Sequence, residues 1–133
     1  MSSYIIRQLK SGDSIELTAP SGKYVLPEAS QQPVILMAGG IGITPFMSLL
    51  ESLPDGNPME IWLFYSNRNS QTHAFRSRIT LHIARLPGLK VCSHYTSPLP
   101  SDVLGRDFDS RATMAIGVNQ VLGAVIEQLN RDV

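Results

Sequence analysis

The sequence predicts an α/β fold in which a parallel sheet is flanked by helices. Three observations carry this reading. Strand-like stretches occur at residues 34–38, 60–65 and 89–95, the first two of buried type and the third imperfectly alternating. Stretches with helical spacing of apolar residues separate them, at residues 44–53 and 72–86. A glycine-rich turn joins the first run to the first helix. Strands that alternate with helices imply a parallel sheet with right-handed crossovers.

Composition narrows the class. The 133 residues are 43% hydrophobic and 17% charged, which suits a packed domain, with room for at most a remnant of a second. Eleven basic residues balance eleven acidic ones, so no basic excess exists to drive nucleic-acid binding. The single cysteine, Cys92, excludes an internal disulfide framework and a multi-cysteine metal site. One thiol is compatible with a reducing compartment, and a cytoplasmic location is expected. No run approaches the ~18 apolar residues that span a bilayer. Residues 1–7 lack a charged segment followed by an apolar core, so neither a membrane span nor a signal peptide is expected.

The elements follow in order. Ile15-Glu16-Leu17-Thr18 alternates apolar and polar as a half-buried strand does, between turn signals at residues 11–13 and 19–22. Residues 24–26 read as a second short strand, and two such strands need something else to pack on. The continuous apolar run at residues 34–38 is the pattern of a parallel strand covered on both faces. Phe46, Leu49, Leu50 and Leu53 form one helical stripe, and Pro54 to Pro58 ends that helix. Phe75, Ile79, Ile83 and Leu86 form a second stripe, stopped by Pro87-Gly88. A loop covers residues 97–109. A weak fourth strand is expected at residues 113–116, and a terminal helix carries Val121, Leu122, Val125, Ile126 and Leu129.

In open sheets of this kind ligands bind beyond the carboxyl ends of the strands. That directs attention to residues 39–45, 66–69, 96–97 and 117. The segment Ala38-Gly39-Gly40-Ile41-Gly42-Ile43-Thr44-Pro45 lies between an apolar strand and an amphipathic helix. Its glycines permit positive φ and close approach to the backbone. Thr44 suits an N-cap and Pro45 the first helical position. The helix start offers N–H groups and a dipole that favour a phosphate. The alternative is a tight strand-to-helix turn with no ligand. Pro45 stands where the third glycine of a G-x-G-x-x-G fingerprint would be, and no Gly-Lys-Ser/Thr follows, so neither common phosphate motif is complete.

This segment resembles the nicotinamide-nucleotide motif of the ferredoxin–NADP reductase family. Residues 19–26, Ala-Pro-Ser-Gly-Lys-Tyr-Val-Leu, resemble the family's Pro-x-Gly-x-aromatic segment, which closes its flavin barrel. Gly12-Asp13-Ser14-Ile15 matches a Gly-Asp lead-in, and Phe64-Tyr65-Ser66-Asn67-Arg68 matches the end of the second strand. The matching segments run in order between residues 3 and 96. The resemblance implies a Rossmann-like domain that binds NADP or NAD over residues 31–133. Residues 1–30 would be a short β-hairpin, the C-terminal remnant of a flavin-binding β-barrel. Gly39, Gly40, Gly42 and Thr44 would line the pyrophosphate, with Ile43 and Pro45 in the same turn. Ser66 and Arg68 would meet the adenosine ribose or its 2′-phosphate, and the guanidinium tilts the expectation toward NADPH. Thr96 and Gly117 complete the expected cofactor set at the ends of later strands. Family members pass hydride between nicotinamide and FAD or FMN, and on to an electron acceptor.

Two departures qualify the resemblance. The family's Arg-x-Tyr-Ser flavin motif is absent, so FAD or FMN is expected only with a flavin domain or redox partner. The usual Cys-Gly-Pro-Pro is replaced by Ile116-Gly117-Val118-Asn119-Gln120, and nothing aromatic follows Phe108. The isolated chain is therefore not expected to turn over alone. A nucleotide-sensing module without redox turnover, and a structural domain with a vestigial turn, are the alternatives. An exposed hairpin edge could pair with another copy. His73, His82 and His94 lack metal-like spacing, and His82 and His94 read as packing or surface residues. Asp107 and Asp109 read as loop charges, Arg76 as a solvated helix charge, and Cys92 and Trp62 as packing residues.

Overall fold

The computed structural model describes residues 2–19, 21–22 and 33–111. Its described elements are α1 (Ser2–Arg7), β1 (Val34–Gly39), α2 (Thr44–Ser52), β2 (Ile61–Asn67), α3 (Arg76–Arg85), β3 (Leu89–Tyr95) and β4 (Ser110–Arg111). The strands form one sheet in the order β1-β2-β3-β4, and every pairing is parallel. The expected strand–helix alternation is thus present over residues 34–95. Gly39, Ser66 and His94 lie side by side in register, so three strand ends open on one edge of the sheet.

α2 and α3 pack against the same face. Leu36, Ala38, Leu63 and Tyr65 from the strands meet Met47 and Leu50 of α2 and Ile79 of α3 in one core. β2 is central and all seven of its residues are buried, as a strand with neighbours on both sides requires. On the other face Trp62, Phe64 and His94 form a stacked row, and the Lys90 ammonium sits 4.5 Å from the Trp62 ring centre.

Several local expectations need correction. β1 is not covered on both faces: Leu36 and Ala38 are buried, but Ile35 and Met37 are exposed. β1 is an edge strand among the described residues, and α2 and α3 cover only one of its faces. Residues 15–18 form no strand, and Ile15 and Leu17 are exposed. Among the described residues this segment has no partner strand, and one alternating segment alone cannot satisfy its backbone as a sheet. The second hairpin strand, the fourth strand expected at residues 113–116 and the terminal helix lie outside the described residues, as does Tyr24.

α3 begins four residues later than its apolar stripe suggests. A 3-10 turn at Ser70–Thr72 comes first, closed by a capping box in which Asn69 and Thr72 exchange side-chain and backbone bonds. Phe75 then adopts φ 58, a left-handed conformation that no helix can pass through. The buried stripe on α3 is Ile79 and His82, with Leu86 just beyond it, while Ile83 is exposed. Arg85 joins the two helices: its guanidinium donates to the Leu50 and Leu53 carbonyls and pairs with Asp55, answering C-terminal carbonyls of α2.

Candidate functional site

A cleft of about 580 Å³ opens at the carboxyl ends of the strands. Its walls are Met37, Ala38, Gly39 and Gly40 from β1 and the turn after it, Ser66 and Asn67 from the end of β2, and Arg68, Thr72 and Thr96 beyond. Of the ten residues expected from sequence, Gly39, Gly40, Ser66, Arg68 and Thr96 come together here. Gly42 lies in the turn and Thr44 and Pro45 open α2, all three outside the cleft lining. Ile43 is fully buried, because the 3-10 turn Gly40–Ile43 rotates its side chain into the core; it packs rather than lines. Gly117 lies outside the described residues.

The glycines divide by cause. Gly40 takes φ +49, a conformation that favours glycine by itself. Gly39 is extended, at φ −127, and Gly42 is not at positive φ, so neither backbone demands glycine. A Cβ added at Gly39, Gly40 or Gly42 would meet nothing within 4 Å. Internal packing therefore does not demand glycine there either. Gly88 is the contrast: a Cβ there would sit 2.2 Å from the Met59 carbonyl oxygen, so its glycine is structural.

The helix start also differs in detail from expectation. Thr44 is the first residue of α2 rather than its cap, Pro45 follows, and no side chain caps the helix. Ile43, which precedes the helix, is already helical in φ and ψ, at −66 and −22, so the chain runs from the 3-10 turn straight into α2.

The far wall is held from below. The Thr96 and Ser97 amides donate to the Asn67 and Arg68 carbonyls, each at 2.9 Å, extending the ladder past the strands. Asp102 accepts from the amides of Ser70 and Leu99, tying the loop after β3 to the 3-10 turn that carries Thr72. Asn67 is buried, and neither its Oδ1 nor its Nδ2 completes a hydrogen bond. Such an orphan is uncommon in a folded core. Sequence reading passed over Asn67 and Thr72; the first lay within the strand-end window already marked, the second gave no sequence signal.

Beneath the cleft lies an aromatic block. The Tyr65 ring meets His73 edge-on, His73 meets Tyr95 edge-on, and Tyr95 stacks on Phe108. His73 Nδ1 is 2.8 Å from the Tyr95 hydroxyl oxygen. Burial, helped by the positive charge of Arg76, pushes His73 down to about 4, so the ring is neutral near pH 7. Burial raises the Tyr65 hydroxyl above its ordinary value, and the neighbouring Asn67 side chain offsets part of that rise. Burial likewise raises the Cys92 thiol, with Asp109 adding to the effect.

Arg76 is not near the cleft lining. It pairs with Asp107 at 2.7 Å, and Arg106 holds the same carboxylate. These residues border a separate cavity of about 200 Å³. Asp107 is thus a loop charge held in place by two guanidinium groups. Hydrogen bonds from Arg106, the Val103 amide and Arg76 hold it well below the usual carboxylate range. Asp109 accepts from the Ser93 amide and is likewise tied to β3. Among the described residues no cluster of His, Cys, Asp or Glu is placed to hold a metal ion, and no helix is long and apolar enough to cross a membrane.

Comparison with known proteins adds an independent line. The family model described as an oxidoreductase NAD-binding domain matches residues 36–112. The flavohemoprotein of Rhizobium meliloti (strain 1021) is 33% identical over 109 residues, covering 82% of this chain and 27% of that protein. The flavohemoprotein of Bacillus subtilis (strain 168) is 36% identical over 106 residues, covering 79% and 26%. The chain therefore spans about a quarter of the length of these curated relatives. A flavohem-like FAD/NAD-binding domain of nitric oxide dioxygenase from Vibrio cholerae O1 biovar El Tor superposes with a TM-score of 0.64 at 25% identity, covering 98% of this chain and 58% of that one. The cytochrome b5 reductase domain of Ulva prolifera nitrate reductase gives 0.62 at 25% identity, covering 83% and 44%.

Proposed function

The chain belongs to the oxidoreductase NAD-binding domain family, and from that premise we propose that it is the pyridine-nucleotide-binding portion of a flavin-dependent oxidoreductase. The dinucleotide would lie across the cleft at the strand ends. Its pyrophosphate would rest on Gly39 and Gly40, and its adenosine would turn toward Ser66, Arg68 and Thr72. The observation that carries the reading is the glycine wall. Backbone geometry does not demand glycine at Gly39, and a Cβ added there would meet no protein atom within 4 Å. Space kept open in this way suits a group that must approach the backbone closely.

The remaining residues of the chain bind and orient. Ser66, Thr72 and Thr96 line the cleft; the Thr72 and Thr96 hydroxyls donate to the Asn69 and Asn67 carbonyls and so hold the wall. Arg68 is the one charged side chain among the described lining residues, and a guanidinium matches a phosphate oxygen pair. NADPH is therefore the favoured nucleotide over NADH. The unsatisfied Asn67 amide carries an internal penalty of about 1–3 kcal/mol, which a nucleotide group hydrogen-bonded to it would relieve. When bound, the nicotinamide supplies a hydride for a flavin held by a partner domain.

Calorimetric titration of the chain with NADPH and NADH tests the reading. Binding of both, tighter for NADPH, is expected. In Arg68→Ala the NADPH affinity should fall by about tenfold, with NADH much less affected, as loss of one charge-assisted contact implies. Heat from neither nucleotide, together with no thermal stabilisation, would overturn it.

A further inference from the structure

The two walls of the cleft belong to separate stretches of chain. One is the turn at Gly39 and Gly40; the other runs from Arg68 to Thr72 and on into α3. At the cleft end of the turn no side chain fixes the backbone, because Gly39, Gly40 and Gly42 have none and Ile41 is exposed; Ile43, buried in the core, anchors only its far end. Tyr65 stands beneath both walls. It is fully buried in β2, in register with Ala38 of β1. Its hydroxyl lies 3.0 Å from the Gly40 carbonyl and 3.4 Å from the Ala74 carbonyl. Gly40 is the left-handed residue that starts the turn, and Ala74 directly precedes the left-handed Phe75. One phenolic hydroxyl thus lies between two left-handed points of the backbone.

We propose that Tyr65 is a positioning residue for nucleotide binding, whose hydroxyl ties the glycine-rich turn to the segment entering α3 and so sets the spacing of the two walls. The inference rests on the nucleotide reading of the cleft. Tyr65 is not among the residues that line the cleft, so its hydroxyl acts through its neighbours Gly40, Ala74 and Asn67 and not on the ligand. Phenylalanine at this position keeps the buried ring and its edge contact with His73, and removes only the tie.

The test is a calorimetric titration of the full chain with NADPH, using wild type, Tyr65→Phe and Ile79→Val, the last a core-trimming control away from the cleft. Tyr65→Phe should bind about fivefold to tenfold more weakly, the effect of one lost hydrogen bond. Ile79→Val should bind as wild type does. Amide hydrogen exchange in Tyr65→Phe should quicken at residues 40–42 and 74–75 and stay unchanged in β2. Equal affinity of Tyr65→Phe and wild type would overturn the inference, as would an equal loss in Ile79→Val, which would mark general destabilisation. Wild type that binds neither NADPH nor NADH would overturn the nucleotide reading itself, and this inference with it. Should Tyr65→Phe fail to fold, exchange in wild type decides: NADPH should slow the Gly40 and Ala74 amides together, and protection of only one would refute the tie.

Discussion

Gly39 and Gly88 are both glycines beside strands, yet they are glycine for opposite reasons. At Gly88 the neighbouring Met59 carbonyl leaves no room for a side chain. Gly88→Ala should lower unfolding free energy by about 2 kcal/mol, as forced overpacking does, read by urea denaturation. At Gly39 the backbone is extended and the space is open. Gly39→Val should therefore melt within a few degrees of wild type and lose NADPH binding, because the branched side chain would fill the place of the pyrophosphate. A valine variant that binds normally would remove the reason for the glycine wall. At this scale the glycine run and the strand-end window were legible in the sequence. The burial of Ile43 was not, because it depends on the phase of a short 3-10 turn. The anchoring of Asp107 was not either, because its partner Arg76 lies on another element.

Elements were more legible than their ends. The stripes of α2 and α3 and the runs of β1, β2 and β3 show in the spacing of apolar residues, since periods near 3.6 and 2 follow from backbone geometry. The start of α3 was hidden because it depends on one left-handed residue, Phe75, and on a local Asn69–Thr72 exchange. The packing of α3 on α2 also rests on a residue that apolar periodicity ignores. Arg85 is only 23% exposed in its side chain, and it donates to two carbonyls at the end of α2 and to His82 Nδ1. Arg85→Ala should cost about 2 kcal/mol, because it orphans those carbonyls, and should lower Tm by roughly 5–10 °C. Unchanged melting would show that solvent replaces the guanidinium freely.

At the scale of the whole molecule three histidines share one consequence. Burial lowers the pKa of His73, His82 and His94. Arg76 adds to the effect at His73 and Arg85 at His82, while Asp109 opposes it at His94. The folded protein therefore holds them neutral at pH values where the unfolded chain, near 6.5, binds a proton at each. Stability is fully present above about pH 6.5 and is lost as pH falls toward the folded values, with His73 setting the lower limit at about 4. Most of the loss should come from His73, and partial solvent access to the rings limits its size. Denaturation midpoints measured from pH 7.5 to 4.5 should fall steadily, and a flat profile would show that the rings are solvated. His82 and His94 were read from sequence as packing or surface residues, and both pack.

The family architecture was legible from the segment Ala38 to Pro45 together with the strand–helix alternation. The placement of the site depends on register: three parallel strands end side by side at Gly39, Ser66 and His94 and leave a cleft above them. Mapping amide chemical-shift changes of the isotopically labelled chain during titration with NADPH tests that placement most directly. The largest changes should fall on Gly39, Gly40, Ser66, Asn67, Arg68, Thr72 and Thr96. Changes centred instead on the cavity at Arg76, Arg106 and Asp107, or no changes at all, would contradict a dinucleotide cradle at the strand ends.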